Sequence, residues 1–299
     1  MVRSFIARKS MRPGEVLALL AESAAAGIGA VVPATCLPVL ARAARCKPAA
    51  GDIYVFPPPA ARGAPRCGWG ERAAAAALLC VCAPLLTLTA LLVLALDGRP
   101  VLFRQLRFGC DGVPFTVFKF RTMKRRSERL DARLQRRRGR ENRLFKLERD
   151  PRVTRLGALL RRTFIDELPQ LLNVARGEMR LVGPRPLPAS DQRHYTQPGH
   201  DLRLRGMPGM TGLWQVSGRN RLTFDEMCLL DCYYLGHRSL RFDLALMLRT
   251  AGVVFKQAGL NRKPEGGPQQ PGGAPRAGAP RQQRRGEPPP ARHDSGGRP

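Results

Sequence analysis

The sequence predicts a mostly helical α/β protein in which a membrane-embedded, re-entrant helix-break-helix precedes a small cytoplasmic domain of amphipathic surface helices and short strands. Three observations carry the prediction. Residues 73–96 are 24 uncharged, strongly apolar residues with Pro84 in their middle. Between 100 and 258, β-like runs alternate with stretches of helical period. Outside those limits small residues, glycine and proline dominate, a composition poorly suited to packing.

Residues 1–65 read as a flexible leader of unknown role. Its uncharged run 23–41 is built mostly of small residues and carries Pro33 and Pro38, and Pro57, Pro58 and Pro59 open a linker. Residues 66–99 hold the membrane segment. Pro84 removes a helix hydrogen bond and leaves two arms of about eleven residues, each too short to span. Arg66 and Arg72 precede the segment and Arg99, Arg104 and Arg107 follow it, which pulls both ends to the cytoplasmic face. A re-entrant dip into one leaflet satisfies both facts; a single kinked spanning helix is the alternative.

In 100–258, the runs 100–103 and 115–118 read as strands around a turn at 109–112, with Lys119 and Arg121 directly after. The basic stretch 124–143 reads as an exposed helix, either a solvated face or one that lies on anionic lipid. Residues 179–182 read as a strand, 224–235 as a helix carrying Asp231, and 240–255 as an amphipathic helix that suits either a membrane surface or the domain core. From 208 to 220, glycines are interspersed with Trp214, Gln215 and Arg219, which could hold a nucleoside or sugar or simply form turns around a buried tryptophan. Residues 259–299, rich in proline, glycine and arginine, read as a disordered tail.

The formal charge of +28, from 51 basic against 23 acidic residues, calls for an anionic partner: nucleic acid, acidic lipid or a phosphorylated substrate. No helix-turn-helix, zinc-finger or RNA-binding signature occurs, and a long apolar run is awkward for a soluble nucleic-acid binder, so no nucleic acid is expected. The eight cysteines form no C-x-x-C pair and read as free thiols.

The densest chemistry lies in 161–186. Thr163 and Asp166 have the spacing of a helix start, and Ile165, Leu168, Leu171 and Leu172 supply an apolar face. Pro169, best tolerated in a first turn, moves the start toward Asp166. Either start sets Asp166 and Glu167 where phosphates and metal-bound anions are favoured. Adjacent helical residues point about 100° apart, so divided labour suits them better than a matched acid and base. One carboxylate could attack phosphorus while the other holds a divalent metal; a plain helix cap with a solvated neighbour is the alternative. Arg185, between Pro184 and Pro186 in a Gly-Pro-Arg-Pro turn, sits on a stiff backbone suited to gripping phosphate.

These residues resemble the bacterial sugar transferase family, the monotopic polyprenyl-phosphate phosphoglycosyl transferases. The resemblance extends with gaps from about Glu71 to Lys256. It includes Phe118-Lys119-Phe120-Arg121-Thr122-Met123, Asp150-Pro151-Arg152-Val153-Thr154, Pro208-Gly209-Met210-Thr211-Gly212 and Asp231-Cys232-Tyr233-Tyr234. Glu71 stands where the family has Asp, and Ala83-Pro84 where it has Ser-Pro. The resemblance implies transfer of sugar-1-phosphate from a UDP-sugar to undecaprenyl phosphate at the bacterial inner membrane, with Asp166 as nucleophile and UMP released. It also implies Mg²⁺ as cofactor with Glu167 as its ligand, Lys119 and Arg185 near the phosphates, and Asp231 as a metal- or substrate-side acid. Anionic inner-membrane lipid is a further expected partner, and a homo-oligomer is compatible with the sequence. The rival reading is a non-catalytic basic protein that binds anionic membrane or nucleic acid.

Overall fold

A computed structural model describes residues 4–6, 10–43, 53–57, 67–125, 150–218 and 222–257. Residues Met1–Asn261 form one compact unit. Most of the basic stretch 124–143, the tail 259–299 and Arg219 lie outside the described residues.

The N-terminal region departs from the leader expected of it. Strands β1 (Ser4–Ile6), β2 (Gly29–Pro33) and β3 (Ile53–Phe56) form one sheet, β1 parallel and β3 antiparallel to β2. Helices α1 (Pro13–Ala25) and α2 (Pro38–Arg42) lie between them in the chain. Val16, Leu17, Val32 and Leu40 have no exposed surface and join the largest core cluster. Pro33 starts no break because it ends β2, and Pro38 takes the first position of α2, where its missing N–H costs nothing. The small residues diluted the hydropathy of this region but kept enough apolar positions on one face.

The apolar segment is helix α3 (Trp69–Asp97), 29 residues that run helical through Pro84. The two-arm break expected there is absent. Alanine and leucine on both sides are strong helix formers, and their summed preference offsets the roughly 3 kcal/mol cost of an interior proline. Most of this helix is exposed, including Val81, Leu88, Leu91 and Leu96, and by length and composition it could cross a membrane. Both of its ends are tied to the rest of the unit. Arg72 Nε donates to the Ala175 carbonyl, and Glu71 accepts from the Leu181 N–H and pairs with Arg180 at 2.7 Å. At the other end Arg121 donates to the carbonyls of Asp97, Gly98 and Arg99, and Thr154 Oγ1 donates to the Asp97 carboxylate.

Strands β4 (Leu102–Phe108) and β5 (Pro114–Phe120) form the expected antiparallel hairpin. Helix α4 (Arg155–Thr163) begins at Thr154, whose hydroxyl caps the Gly157 N–H. A Cβ on Gly157 would lie 2.2 Å from the Thr122 carbonyl, so only glycine lets α4 close on the chain leaving β5. Helix α5 (Leu171–Arg176) follows a 3₁₀ turn, and β6 (Arg180–Val182) pairs parallel with β7 (Gly209–Thr211). The short α6 (Leu213–Ser217) and the helices α7 (Phe224–His237) and α8 (Leu240–Phe255) complete the unit. On α8, Asp243, Ala245 and Leu246 are buried while Leu240, Leu244, Leu248 and Phe255 are exposed, so the helix serves the core with one face and leaves an apolar stripe on another. No disulfide joins the described cysteines.

Candidate active site

No helix starts at Thr163. It is the last residue of α4, and its hydroxyl bonds back to the Leu159 and Leu160 carbonyls. Phe164, at φ 60°, turns the chain, and Ile165–Gln170 form a 3₁₀ turn that contains Pro169. The Thr163/Asp166 spacing imitates a capping pattern, but the left-handed residue between them ends one helix before the next begins. Asp166 and Glu167 are therefore presented on a tight turn wedged between α4 and α5.

Glu167 is the hub. Its Oε1 accepts from Lys119 Nζ at 2.6 Å and from Arg185 Nη2 at 2.8 Å, and Oε2 faces Arg185 Nη1 at 3.4 Å. Burial works against the Glu167 charge, but Arg185 and Lys119 outweigh it and hold the carboxyl well below the usual range. Burial pulls the Lys119 amine down to about 8, with Arg185 and Arg107 adding to the fall and Glu167 opposing it. Glu167 pushes the Arg185 guanidinium up. Asp166 is 8% exposed, and its charge acts on Arg161 and Arg185. The turn thus brings Asp166, Glu167, Lys119 and Arg185 together.

Buried groups hold these side chains in place. Asn173, fully buried, accepts from the Phe118 N–H and donates to the Thr116 carbonyl, which fixes the strand that carries Lys119 onto α5. Arg107 Nη1 donates to the Pro186 carbonyl at 2.6 Å, and Arg203 Nη2 donates to the Arg185 carbonyl at 2.8 Å. The rigid turn is therefore gripped from both sides.

The family model for the bacterial sugar transferases matches residues 69–257. The chain belongs to this family. Among similar proteins, an undecaprenyl-phosphate galactose phosphotransferase of Salmonella typhimurium is 40% identical over 167 residues, 54% of this chain and 35% of the relative. A UDP-glucose:undecaprenyl-phosphate glucose-1-phosphate transferase of Caulobacter vibrioides is 42% identical over 184 residues, 59% of this chain and 65% of the relative. The exopolysaccharide production protein ExoY of Rhizobium meliloti is 38% identical over 195 residues, 62% of this chain and 84% of the relative. The chain spans about a third of the length of the Salmonella protein.

Three expectations for this sugar transferase site change with the geometry. Asp231 pairs with Arg203. It is 1% exposed, and its Oδ2 accepts from Arg203 Nε at 2.8 Å and Nη2 at 2.6 Å. Burial pushes its carboxyl up to about 6 against the lowering by Arg203. Asp231 thus bonds the guanidinium that also holds the Arg185 carbonyl. Trp214 is buried within the largest core cluster, as the turn reading of 208–220 had it. Arg107, counted in sequence as a flanking charge of the membrane segment, is buried, and burial followed by Arg185 pulls its guanidinium down to about 10.

Arg107 and Arg203 were missed as site residues, and Arg161 and Asn173, though inside the stretch 161–186, were given no role of their own. Arg107 and Arg203 sit among many arginines, and Asn173 on a short apolar helix, so residue type gave no signal. The donor set also limits a metal. Among the described residues no three His, Cys, Asp or Glu side chains converge, and Glu167 is already engaged by two cations. A cage made wholly of protein does not fit; one carboxylate completed by substrate phosphates does.

Proposed function

We propose that the protein transfers a sugar-1-phosphate from a UDP-sugar to undecaprenyl phosphate through an enzyme-bound intermediate on Asp166. The observation that carries this reading is the half-buried Lys119–Glu167–Arg185 cluster beside Asp166, two phosphate-gripping cations next to a carboxylate nucleophile. An Asp166 oxygen attacks the sugar-linked phosphorus, the bond from that phosphorus to UMP breaks, and UMP leaves. An oxygen of the lipid phosphate then attacks the same phosphorus and regenerates the Asp166 carboxylate. Lys119 and Arg185 take up the charge that develops on the phosphoryl oxygens. Magnesium, when bound with the diphosphate, would neutralise charge on the leaving nucleotide, and Glu167 is the carboxylate that would hold it. The relatives named for undecaprenyl-phosphate galactose and glucose-1-phosphate transfer support the substrate class.

The proposed location is the cytoplasmic face of a bacterial inner membrane, held monotopically. A helix of 29 residues is about 43 Å long, enough to cross a bilayer, yet both ends of α3 bond to the same unit. That tether favours immersion from one side over a span with free ends. The exposed stripe of α8 adds apolar surface suited to the same interface.

The test measures UMP release from a panel of UDP-sugars with magnesium and undecaprenyl phosphate, comparing wild type with Asp166→Asn, together with labelled sugar phosphate retained on denatured protein. Lipid-dependent release and retention, both lost in the variant, are expected. Equal release from both proteins would overturn the mechanism and favour a non-catalytic basic protein.

A further inference from the structure

A cavity of about 380 Å³ lies away from Asp166, between the N-terminal layer and the family-matched region. Leu20 of α1 and Phe56 and Pro57 at the end of β3 form one wall. Gly236 permits that wall to close, because a Cβ there would lie 2.8 Å from Pro57 Cδ. Arg180, Arg205 and Arg238 also line the cavity. None of Asp166, Glu167, Lys119 or Arg185 lines it.

The arginines are incompletely satisfied. Arg180 is 8% exposed, and its Nη2 pairs with Glu71 at 2.7 Å and approaches Asp243 at 3.9 Å, but its buried Nε has no hydrogen-bond partner. Arg238 reaches Asp243 only at 3.7 Å. Arg205 also has a buried, unpartnered Nε, and no carboxylate of a described residue lies within ion-pair distance of it. Asp201 and Asp111 line a smaller hollow together with Arg205. Guanidinium forks match phosphate and carboxylate oxygens, and the apolar lining residues suit a hydrocarbon or aromatic body.

We propose that this cavity binds a small organic anion, a phosphate or carboxylate head on an apolar or aromatic body, at a site separate from the Asp166 centre. The head sits among Arg180, Arg205 and Arg238, and the body lies against Leu20 and Phe56. Occupancy braces β6, whose chain runs from Arg180 directly into the turn that carries Arg185. The inference stands on the cavity alone and does not depend on Asp166 being a nucleophile.

Isothermal titration calorimetry on the full chain in detergent tests it with two soluble probes, AMP for a phosphate head and 4-phenylbutyrate for a carboxylate head. At least one probe is expected to bind wild type, Asp166→Asn and Lys119→Met alike, and whichever binds identifies the head. Arg205→Gln is expected to weaken that binding at least tenfold, about 1.4 kcal/mol. Its melting temperature without ligand should stay unchanged, since Arg205 has no ion-pair partner among the described residues to lose. Arg238→Gln provides an independent variant with the same expected direction. Binding by neither probe, binding unaffected by both arginine variants, or binding abolished by Lys119→Met would each overturn the proposal.

Discussion

Asp231→Ala separates a positioning role from a substrate-side role. Asp231 and Arg203 both have side chains 1% exposed, and the aspartate's Oδ2 takes two of the guanidinium's donors. Removing the carboxylate strands a buried cation, which costs about 3–5 kcal/mol when a pair of this kind loses one partner. In a domain of this size about 2–4 °C is lost per kcal/mol, so the melting temperature should fall by roughly 6–20 °C. The double variant Arg203→Met with Asp231→Leu removes both charges and should recover most of that stability, because apolar residues of similar volume replace buried pairs at little cost. Activity should not recover with it. The Arg185 carbonyl would still lack the Nη2 donor that now holds it at 2.8 Å, and a turn displaced by about 1 Å loses on the order of a hundredfold in rate. Thermal melts and initial rates of UMP release on the same preparations read both quantities. If Asp231→Ala melted within about 1 kcal/mol of wild type while transfer fell more than a hundredfold, Asp231 would have to touch substrate and the positioning argument would fail.

Lys119, whose amine is pulled down to about 8, should give a transfer rate that falls as pH rises through that value, read from the kcat/KM profile. Its folded pKa lies below the 10.5 of the free side chain, so between about 8 and 10.5 the unfolded chain binds more protons and this group's contribution to stability rises with pH. Lys119→Met should abolish both trends. Gly209→Ala places a Cβ 2.0 Å from the Gly183 N–H, and urea unfolding should show a loss of about 3 kcal/mol as β6 and β7 are forced apart. Leu17→Ala, at a position with no exposed surface, should cost about 2–5 kcal/mol in the same assay, whereas a loose leader would tolerate it.

Much of the secondary structure was legible because it rests on local signals. The hairpin β4–β5 shows as two β-like runs around a glycine-rich turn, and α7 and α8 lie close to the helices read from periodicity. The missed features depend on what lies far away in the chain. Phe164 adopts φ 60° without being glycine or asparagine, so nothing local announced the turn that displays Asp166 and Glu167. The N-terminal layer was hidden for a related reason: its alanines and serines lower the mean hydropathy, and only packing against α7 reveals which positions are covered. Among 44 arginines, the sequence offers no way to tell the buried Arg107 and Arg203 from solvated ones.

The placement of Glu167 gives a physical account of how such a site stays folded without substrate. Lys119 and Arg185 are two half-buried cations, and two unpaired charges of one sign beside one turn would repel each other and carry a desolvation cost. Glu167 neutralises one of those charges and hydrogen-bonds both. Under the proposed mechanism, the incoming diphosphate offers the same cations more oxygens and more charge, so they exchange one anion for another and are never stranded. The exchange also loosens Glu167 at the moment when a carboxylate beside the diphosphate has a use. Arg107 and Arg203 keep the turn still throughout, because they hold its backbone carbonyls at Pro186 and Arg185 and leave the Arg185 side chain free to change partners.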